Sequence, residues 1–295
     1  MADYIVSCCS SADISPEWMA KRNLTYLCHS FFLNDQEYKD DLWVSMKPEE
    51  MYRRMLAGEV SRTSQISLND YTSLFRKACS EGKDILHVTL SSGISGTYNS
   101  AVLAASQVME EFPGRKIIVI DSLAASSGYG LLMEYVADKR DEGLSLEELA
   151  AWTEEHKLNI VHWFFSTDLT FYIRGGRVSK ASGYIGMALS ICPLLNVDVK
   201  GRLIPREKIR GTHKAIRRAV ELMKEHAEGG TGYTGKVYIS NSECLEDAKK
   251  EAELIEEAFP NMNGKVEIYP IGAVIGSHTG PGTVALFFWG DKRTD

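Results

Sequence analysis

One stretch limits the fold of this chain more than any other: residues 90–101, L-S-S-G-I-S-G-T-Y-N-S-A. The apolar run at 85–90 before it reads as a buried strand. After it, Tyr98, Ala101, Val102, Ala105, Val108 and Met109 recur on one face of a helix. A strand, a Ser/Gly turn and a helix start leave free backbone N–H groups facing the turn, at the positive end of the helix dipole. The serines add hydroxyl donors, and Gly93 and Gly96 let a ligand approach the backbone closely. Read locally, Ser95 either caps the helix or helps to hold an anion.

The chain around this turn repeats its logic. Apolar runs at 4–8, 24–33, 84–90 and 116–120 alternate with helical patterns at 47–57, 70–80, 98–112 and 127–141. A capping box, Ser145-Leu146-Glu147-Glu148, opens a further helix over 145–156. The alternation predicts an α/β fold with a mainly parallel sheet in residues 1–157. Ligands in such sheets sit at the carboxyl ends of the strands, where the turns at Ser10, Ser95 and Ser122 fall. Asp13 reads as a turn or cap residue. Residues 61–67, S-R-T-S-Q-I-S, read as a polar loop between helices, with Ser67 or Asn69 as the next cap. Thr63 and Ser64 have no periodic role there; their hydroxyls are either solvated or suited to an oxyanion.

After His156 the character changes. An aromatic-rich strand at 159–166 leads to a short helix at 168–174 that Gly175-Gly176 stops. Residues 181–195 are small and apolar, as in a helix packed against an apolar ligand or another helix, with Pro193 breaking it. A hairpin at 196–210, turning at Lys200-Gly201, precedes a helix at 212–228 and a strand–helix–strand unit over 236–271. A glycine-rich loop at 272–282 and an apolar strand at 283–289 close the chain. These elements predict a second α/β domain over 158–295. His278 lies in G-S-H-T-G-P-G: an oxyanion donor, a base, an orienting group or a solvent-facing loop residue. Arg174 and Arg177 flank the Gly pair, and Arg206, Lys208, Arg210, Lys214, Arg217 and Arg218 form a basic run. Each set suits either an acidic partner or a solvated helix end.

The net charge of −7 disfavours non-specific nucleic-acid binding. No apolar run approaches the ~20 residues of a membrane span, so no stable membrane insertion is expected. The first residues, M-A-D-Y-I-V-S-C-C, lack the basic and apolar regions of a signal peptide. Six cysteines without a C-x-x-C pair suit a reduced, cytoplasmic chain with neither disulfides nor a zinc site. G-I-S-G-T nearly spells the nucleophile elbow of hydrolases, but Thr97 stands where its second glycine belongs. No Walker loop, dinucleotide fingerprint, H-E-x-x-H motif or acidic metal cluster occurs.

Six motifs in register carry a family resemblance: S-S-A-D-I (10–14), T-S-Q-I-S (63–67), the 90–101 turn, V-I-D-S (119–122), L-T-F-Y-I-R-G-G-R-V-S (169–179) and I-G-A-V-I-G-S-H-T-G-P-G (271–282). Together they resemble the DegV family of bacterial fatty-acid-binding proteins. The resemblance implies two α/β domains with a long-chain fatty acid in the tunnel between them, and no catalytic residue, metal or cofactor. By motif position, Thr63 and Ser95 would be hydroxyl donors to the carboxylate, with Ser64 and Gly96 beside them and His278 completing the network. Arg174, Arg177, Arg206 and Arg210 would face the catalytic subunit of an ATP-dependent fatty acid kinase, for which some members are the binding subunit. The family pattern has T-D-S where Cys8-Cys9-Ser10 stands and Pro where Ile66 stands. These departures predict a looser Thr63 loop, an altered chain preference or a paralogue without a kinase. The competing reading is a serine esterase using Ser95 and His278; a third is an interaction protein whose lipid is structural.

Overall fold

The computed structural model describes residues 4–179 and 191–294. A four-stranded sheet has the order β2-β1-β6-β7, with β1 (Tyr4–Cys9), β2 (Thr25–Leu27), β6 (Asp84–Thr89) and β7 (Ile117–Asp121) all parallel. Both of its faces are covered, so β6 is buried along nearly its whole length and its sequence D-I-L-H-V-T shows no alternation. A six-stranded sheet has the order β10-β9-β8-β13-β11-β12. Its strands are β8 (Ile160–Ser166), β9 (Ile191–Val197), β10 (Leu203–Arg210), β11 (Val237–Asn241), β12 (Glu267–Pro270) and β13 (Thr283–Trp289). Only the β11–β12 pair is parallel.

A third, antiparallel sheet, β4-β3-β5, joins β3 (Ser30–Leu33), β4 (Gln36–Lys39) and β5 (Ser61–Ser64). The expected single strand at 24–33 is therefore two strands in two sheets. The break falls at His29, whose N–H donates to Ser10 Oγ at 3.2 Å and whose carbonyl accepts the Asp40 N–H at 2.9 Å, so its backbone leaves the ladder. The expected polar loop at 61–67 begins as strand β5. Its S-R-T-S sequence hides this, because hydroxyl side chains at the half-buried positions produce no apolar alternation.

The helices are α1 (Pro16–Lys21), α2 (Pro48–Leu56), α3 (Leu68–Ser80), α4 (Thr97–Glu111), α5 (Ser126–Asp141), α6 (Leu146–His156), α7 (Thr170–Arg174), α8 (Thr212–His226), α9 (Leu245–Ala258) and α10 (Ala273–Thr279). Ser67 caps α3, accepting the Asp70 N–H at 3.1 Å, and the Ser145–Glu148 capping box of α6 is closed in both directions. The expected helix at 181–195 is replaced from Ile191 onward by β9; residues 181–190 lie outside those described. Pro193 is tolerated there because pairing with β8 covers only Leu194, Leu195 and Asn196.

The first turns of α5 are buried on every side, and one continuous core joins Leu86 and Val88 of the parallel sheet to Tyr129 and Met133 of α5 and Phe164 and Phe287 of the six-stranded sheet. A smaller core packs Phe31 and Leu33 of β3, Met51 and Met55 of α2, and Ala273 and Val274 of α10. In this way a late helix is seated on a sheet built from early strands.

Candidate ligand-binding site

The turn after β6 keeps its predicted geometry. Gly96, not Ser95, is the N-cap residue of α4, and no side chain caps from that position. Ser95 Oγ instead accepts the Thr97 N–H at 3.3 Å, which leaves the hydroxyl proton to donate. The Gln65 amide rests against the Gly96 Cα, in the space a Cβ would fill, so a larger residue there would push the Gln65 side chain aside. Two bonds fasten the Thr63 segment to the start of α4: Gln65 Nε2 to Ser100 Oγ at 2.9 Å, and the Ile66 N–H to Thr97 Oγ1 at 3.2 Å. Ile66 is 1% exposed. It ties this segment down rather than loosening it, through an N–H that proline does not have.

Thr63, on β5, meets His278, on α10: Oγ1 and Nε2 are 2.7 Å apart across 215 residues of sequence. His278 was expected in a loop; it lies in the last turn of α10, largely out of solvent. Its Nδ1 is buried without a partner and abuts Gly175, where a Cβ would collide with it. Burial first, and the Arg177 charge second, push the imidazole down to about 3, so it is neutral at physiological pH and carries one ring proton. Placed on Nε2, that proton goes to Thr63 Oγ1 and frees the threonine proton for a ligand.

These groups head a cavity of about 280 Å³ between the sheets. Thr63, Ser64, Gln65, Ser95, Gly96 and His278 all line it, together with Arg177. The body is mostly apolar: Leu90, Ile94, Phe164, Val197, Ala285 and Phe287. Strand alternation explains the last members, since residues two apart on β8 and β13 face one side, and Ala285 pairs with Phe164 while Phe287 pairs with His162. His162, buried and held neutral, also lines the cavity, as do Tyr172 and Thr283, whose hydroxyls bond each other at 3.0 Å.

The four arginines divide. Arg174 is exposed over the Phe171 ring, and Arg206 and Arg210 point outward from the edge strand β10. Arg177, expected on that surface, instead turns inward: Nε and Nη2 donate to the Ile94 carbonyl at 3.2 and 3.1 Å, and Nη1 to the Gly175 carbonyl at 2.6 Å. Among the described residues no carboxylate pairs with it. Of the basic run, Arg218 is taken up by Glu207 and Glu225. The esterase geometry is not built: His278 Nε2 is engaged by Thr63, and among the described residues no carboxylate orients the ring. Cys9 sits at 3.5 Å from Tyr71 OH and 3.8 Å from His87 Nε2, and burial pushes its thiol up to about 11, so the first turn carries no charge at that position. Ser10 and Ser11 bond Asp40 and His29 and do not line the cavity. The sequence reading missed His29, which lines the cavity and reaches the Ser64 carbonyl at 3.4 Å; no local pattern marks it. Among the described residues no cluster of three His, Cys, Asp or Glu side chains is placed to hold a metal, and no helix is long and apolar enough to cross a membrane.

Fold and site define a three-sheet α/β protein built around an internal, mostly apolar cavity with a hydroxyl- and imidazole-lined head. The chain belongs to the DegV family, whose model, described as an uncharacterised protein family, matches residues 8–291. A DegV domain-containing protein of Clostridium perfringens is 33% identical over 293 residues, covering 99% of both chains. A protein of Thermotoga maritima named a fatty acid-binding protein is 33% identical over 289 residues, covering 94% of both. Among solved structures, the B3 protein of the Streptococcus pneumoniae fatty acid kinase, loaded with linoleic acid, superposes with a TM-score of 0.84 at 25% identity, covering 99% of this chain and 100% of that one.

Proposed function

We propose that this chain binds one long-chain fatty acid, with its carboxylate at Thr63 and Ser95, His278 in the network, and its tail in the cavity between the sheets. The observation that carries the reading is the Thr63–His278 pair at the head of a mostly apolar cavity. A carboxylate offers about four lone-pair positions, and hydroxyl and helix N–H donors fill them without a full counter-charge. The tail gains ~0.8 kcal/mol per buried methylene, on the order of 10 kcal/mol for a long chain before ordering costs. The fatty-acid-loaded relative and the Thermotoga protein support the same ligand class. In this reading residues 1–157 supply most of the carboxylate donors, and residues 158–295 most of the tail wall and the partner surface. No further cofactor is involved.

The kinase relative supports a second layer: the chain presents its fatty acid to an ATP-dependent partner, docked on the face bearing Arg174, Arg206 and Arg210. The six cysteines are free thiols, which suits a reducing, cytoplasmic setting. The test is mass spectrometry of the purified protein, native and then after denaturation and solvent extraction. One or a few long-chain fatty acids released in stoichiometric amount support the reading. A protein that is empty and takes up no added fatty acid refutes it.

A further inference from the structure

The seven-residue helix that carries His278 has no cap of its own. Its N-cap is Gly272, no side chain caps from that position, and its first turn contains no acidic residue. Ala273 and Val274 are buried, so their N–H groups are out of reach of water. Both are satisfied by one residue more than 230 positions earlier: Asp40 Oδ1 accepts the Ala273 N–H at 3.2 Å, and Oδ2 accepts the Val274 N–H at 3.4 Å. Ser10 Oγ donates to the same Oδ2 at 3.2 Å. Asp40 is 1% exposed, and among the described residues no Lys or Arg pairs with it. The other end of α10 is held by the Ser61 hydroxyl on the Ser277 carbonyl at 2.9 Å, and by the Thr63–His278 bond.

We propose that Asp40 is a positioning residue for the cavity head: its ionised carboxylate holds the start of α10 and so sets His278 against Thr63. A carboxylate carried in the core without a cation is expensive for folding, and here it stands where it orients a cavity group. Its surroundings do not neutralise it. Asp13, across the first turn, and Asp41, next in sequence, are acids. Tyr26 and Cys28, from the β2 side, and Tyr52 of α2 all have raised pKa values and stay protonated. His29 is pushed down to about 4 and is neutral, and Lys39 of β4 is engaged with Ser30 and Glu37. Burial therefore pushes Asp40 up to about 6. As pH falls through that value the carboxylate gains a proton, loses acceptor capacity, and releases α10 and the aligned His278. His278, pushed down to about 3, does not itself titrate in this range.

A raised carboxyl pKa means that the folded chain holds this proton more tightly than the unfolded one. Ionised Asp40 thus works against folding above about pH 6, and in Asp40→Asn the relief of that charge opposes the loss of one acceptor for the α10 N–H groups. The binding readout rests on the fatty-acid reading, so the experiment has a ligand-free arm. Fatty-acid affinity is measured by displacement of a fluorescent probe with palmitate, for wild type, Asp40→Asn, His278→Ala and the double variant. Asp40→Asn is expected to weaken binding about tenfold in the wild-type background and by less than about twofold beside His278→Ala. Equal losses in both backgrounds, or no loss at all, overturn the proposal. In the ligand-free arm, the His278 ring resonances of wild type should shift with a midpoint near pH 6, and Asp40→Asn should abolish the shift. Resonances flat from about pH 7.5 to 5 overturn it too. This arm stands without a folded variant, and it stands if wild type binds no palmitate, a result that would refute the fatty-acid reading alone.

Discussion

Replacing Thr63 by Val removes one hydroxyl and keeps the side-chain shape. In the empty protein the loss falls on His278. Its Nδ1 already lacks a partner, and its Nε2 has only Thr63 Oγ1 at 2.7 Å, so the substitution strands both ring nitrogens of a largely buried imidazole. An unsatisfied buried polar group costs about 1–3 kcal/mol. The added methyl recovers under ~0.8 kcal/mol, because Thr63 is only half-buried. The net loss of about 1–2 kcal/mol corresponds to a melting temperature lower by roughly 2–3 °C for a chain of this size. With ligand bound, a hydroxyl donor to a carboxylate is lost as well, worth about 1.5–3 kcal/mol, or roughly 10- to 150-fold in Kd. Thermal denaturation and fluorescent-probe displacement by palmitate measure the two effects separately. Thr63→Ser, which keeps the hydroxyl, should recover most of both. A Val variant within about twofold of wild-type Kd, or a Ser variant as weak as the Val variant, would refute the placement of the carboxylate.

Arg177→Met should fold and keep palmitate affinity within about twofold, since the Arg177 donors already serve the Ile94 and Gly175 carbonyls; a loss of about tenfold or more would give Arg177 a direct part in holding the carboxylate. Glu251, buried in α9 with neither carboxylate oxygen partnered, is pushed by burial and then by Asp247 up to about 8. Protonation of Glu251 stabilises the fold fully below about pH 4.5, and that stabilisation is lost as pH rises through about 8. Urea unfolding should therefore show wild type losing on the order of 3–5 kcal/mol over that range through this group, and Glu251→Gln losing correspondingly less. Across saturated acids of increasing length, affinity should rise about fourfold per methylene until the cavity is full and then level off; a flat series would mean that the tail lies outside the cavity.

Most of the first half was legible because its strands are buried on both faces and its helices announce their starts. The β6–turn–α4 unit and the Ser145 capping box were readable from local residues alone. What escaped was set by distant partners. Residues 61–64 became strand through pairing with β3, not through their own pattern. α10 forms within a glycine-rich segment whose first turn is completed by a carboxylate more than 230 positions away in sequence. Arg177 looked like a surface charge because its spacing around Gly175-Gly176 resembles a solvated helix end. Its side chain is drawn inward by the Ile94 carbonyl, a partner invisible to periodicity. The His278 contact with Thr63 spans most of the chain, and only the family's motif order suggested it.

The electrostatics of the head accord with the proposed transfer of a bound fatty acid to a partner. His278 is neutral, and Arg177, a cation lining the cavity head, already directs one donor from each of its three nitrogens to the carbonyls of Ile94 and Gly175. A carboxylate there meets hydroxyls and amides, not a committed ion pair, so most of the proposed affinity comes from the tail and the head chiefly fixes orientation. A buried pair with a lysine or arginine would hold the acid more firmly, but removing one partner would leave the other charge stranded in the core, at a cost of about 3–5 kcal/mol. Neutral donors return to Thr63, Ser95 and His278 without such a debt when the ligand leaves. The charge needed to keep this arrangement rigid is placed one step back, on Asp40, which holds the helix and does not line the cavity.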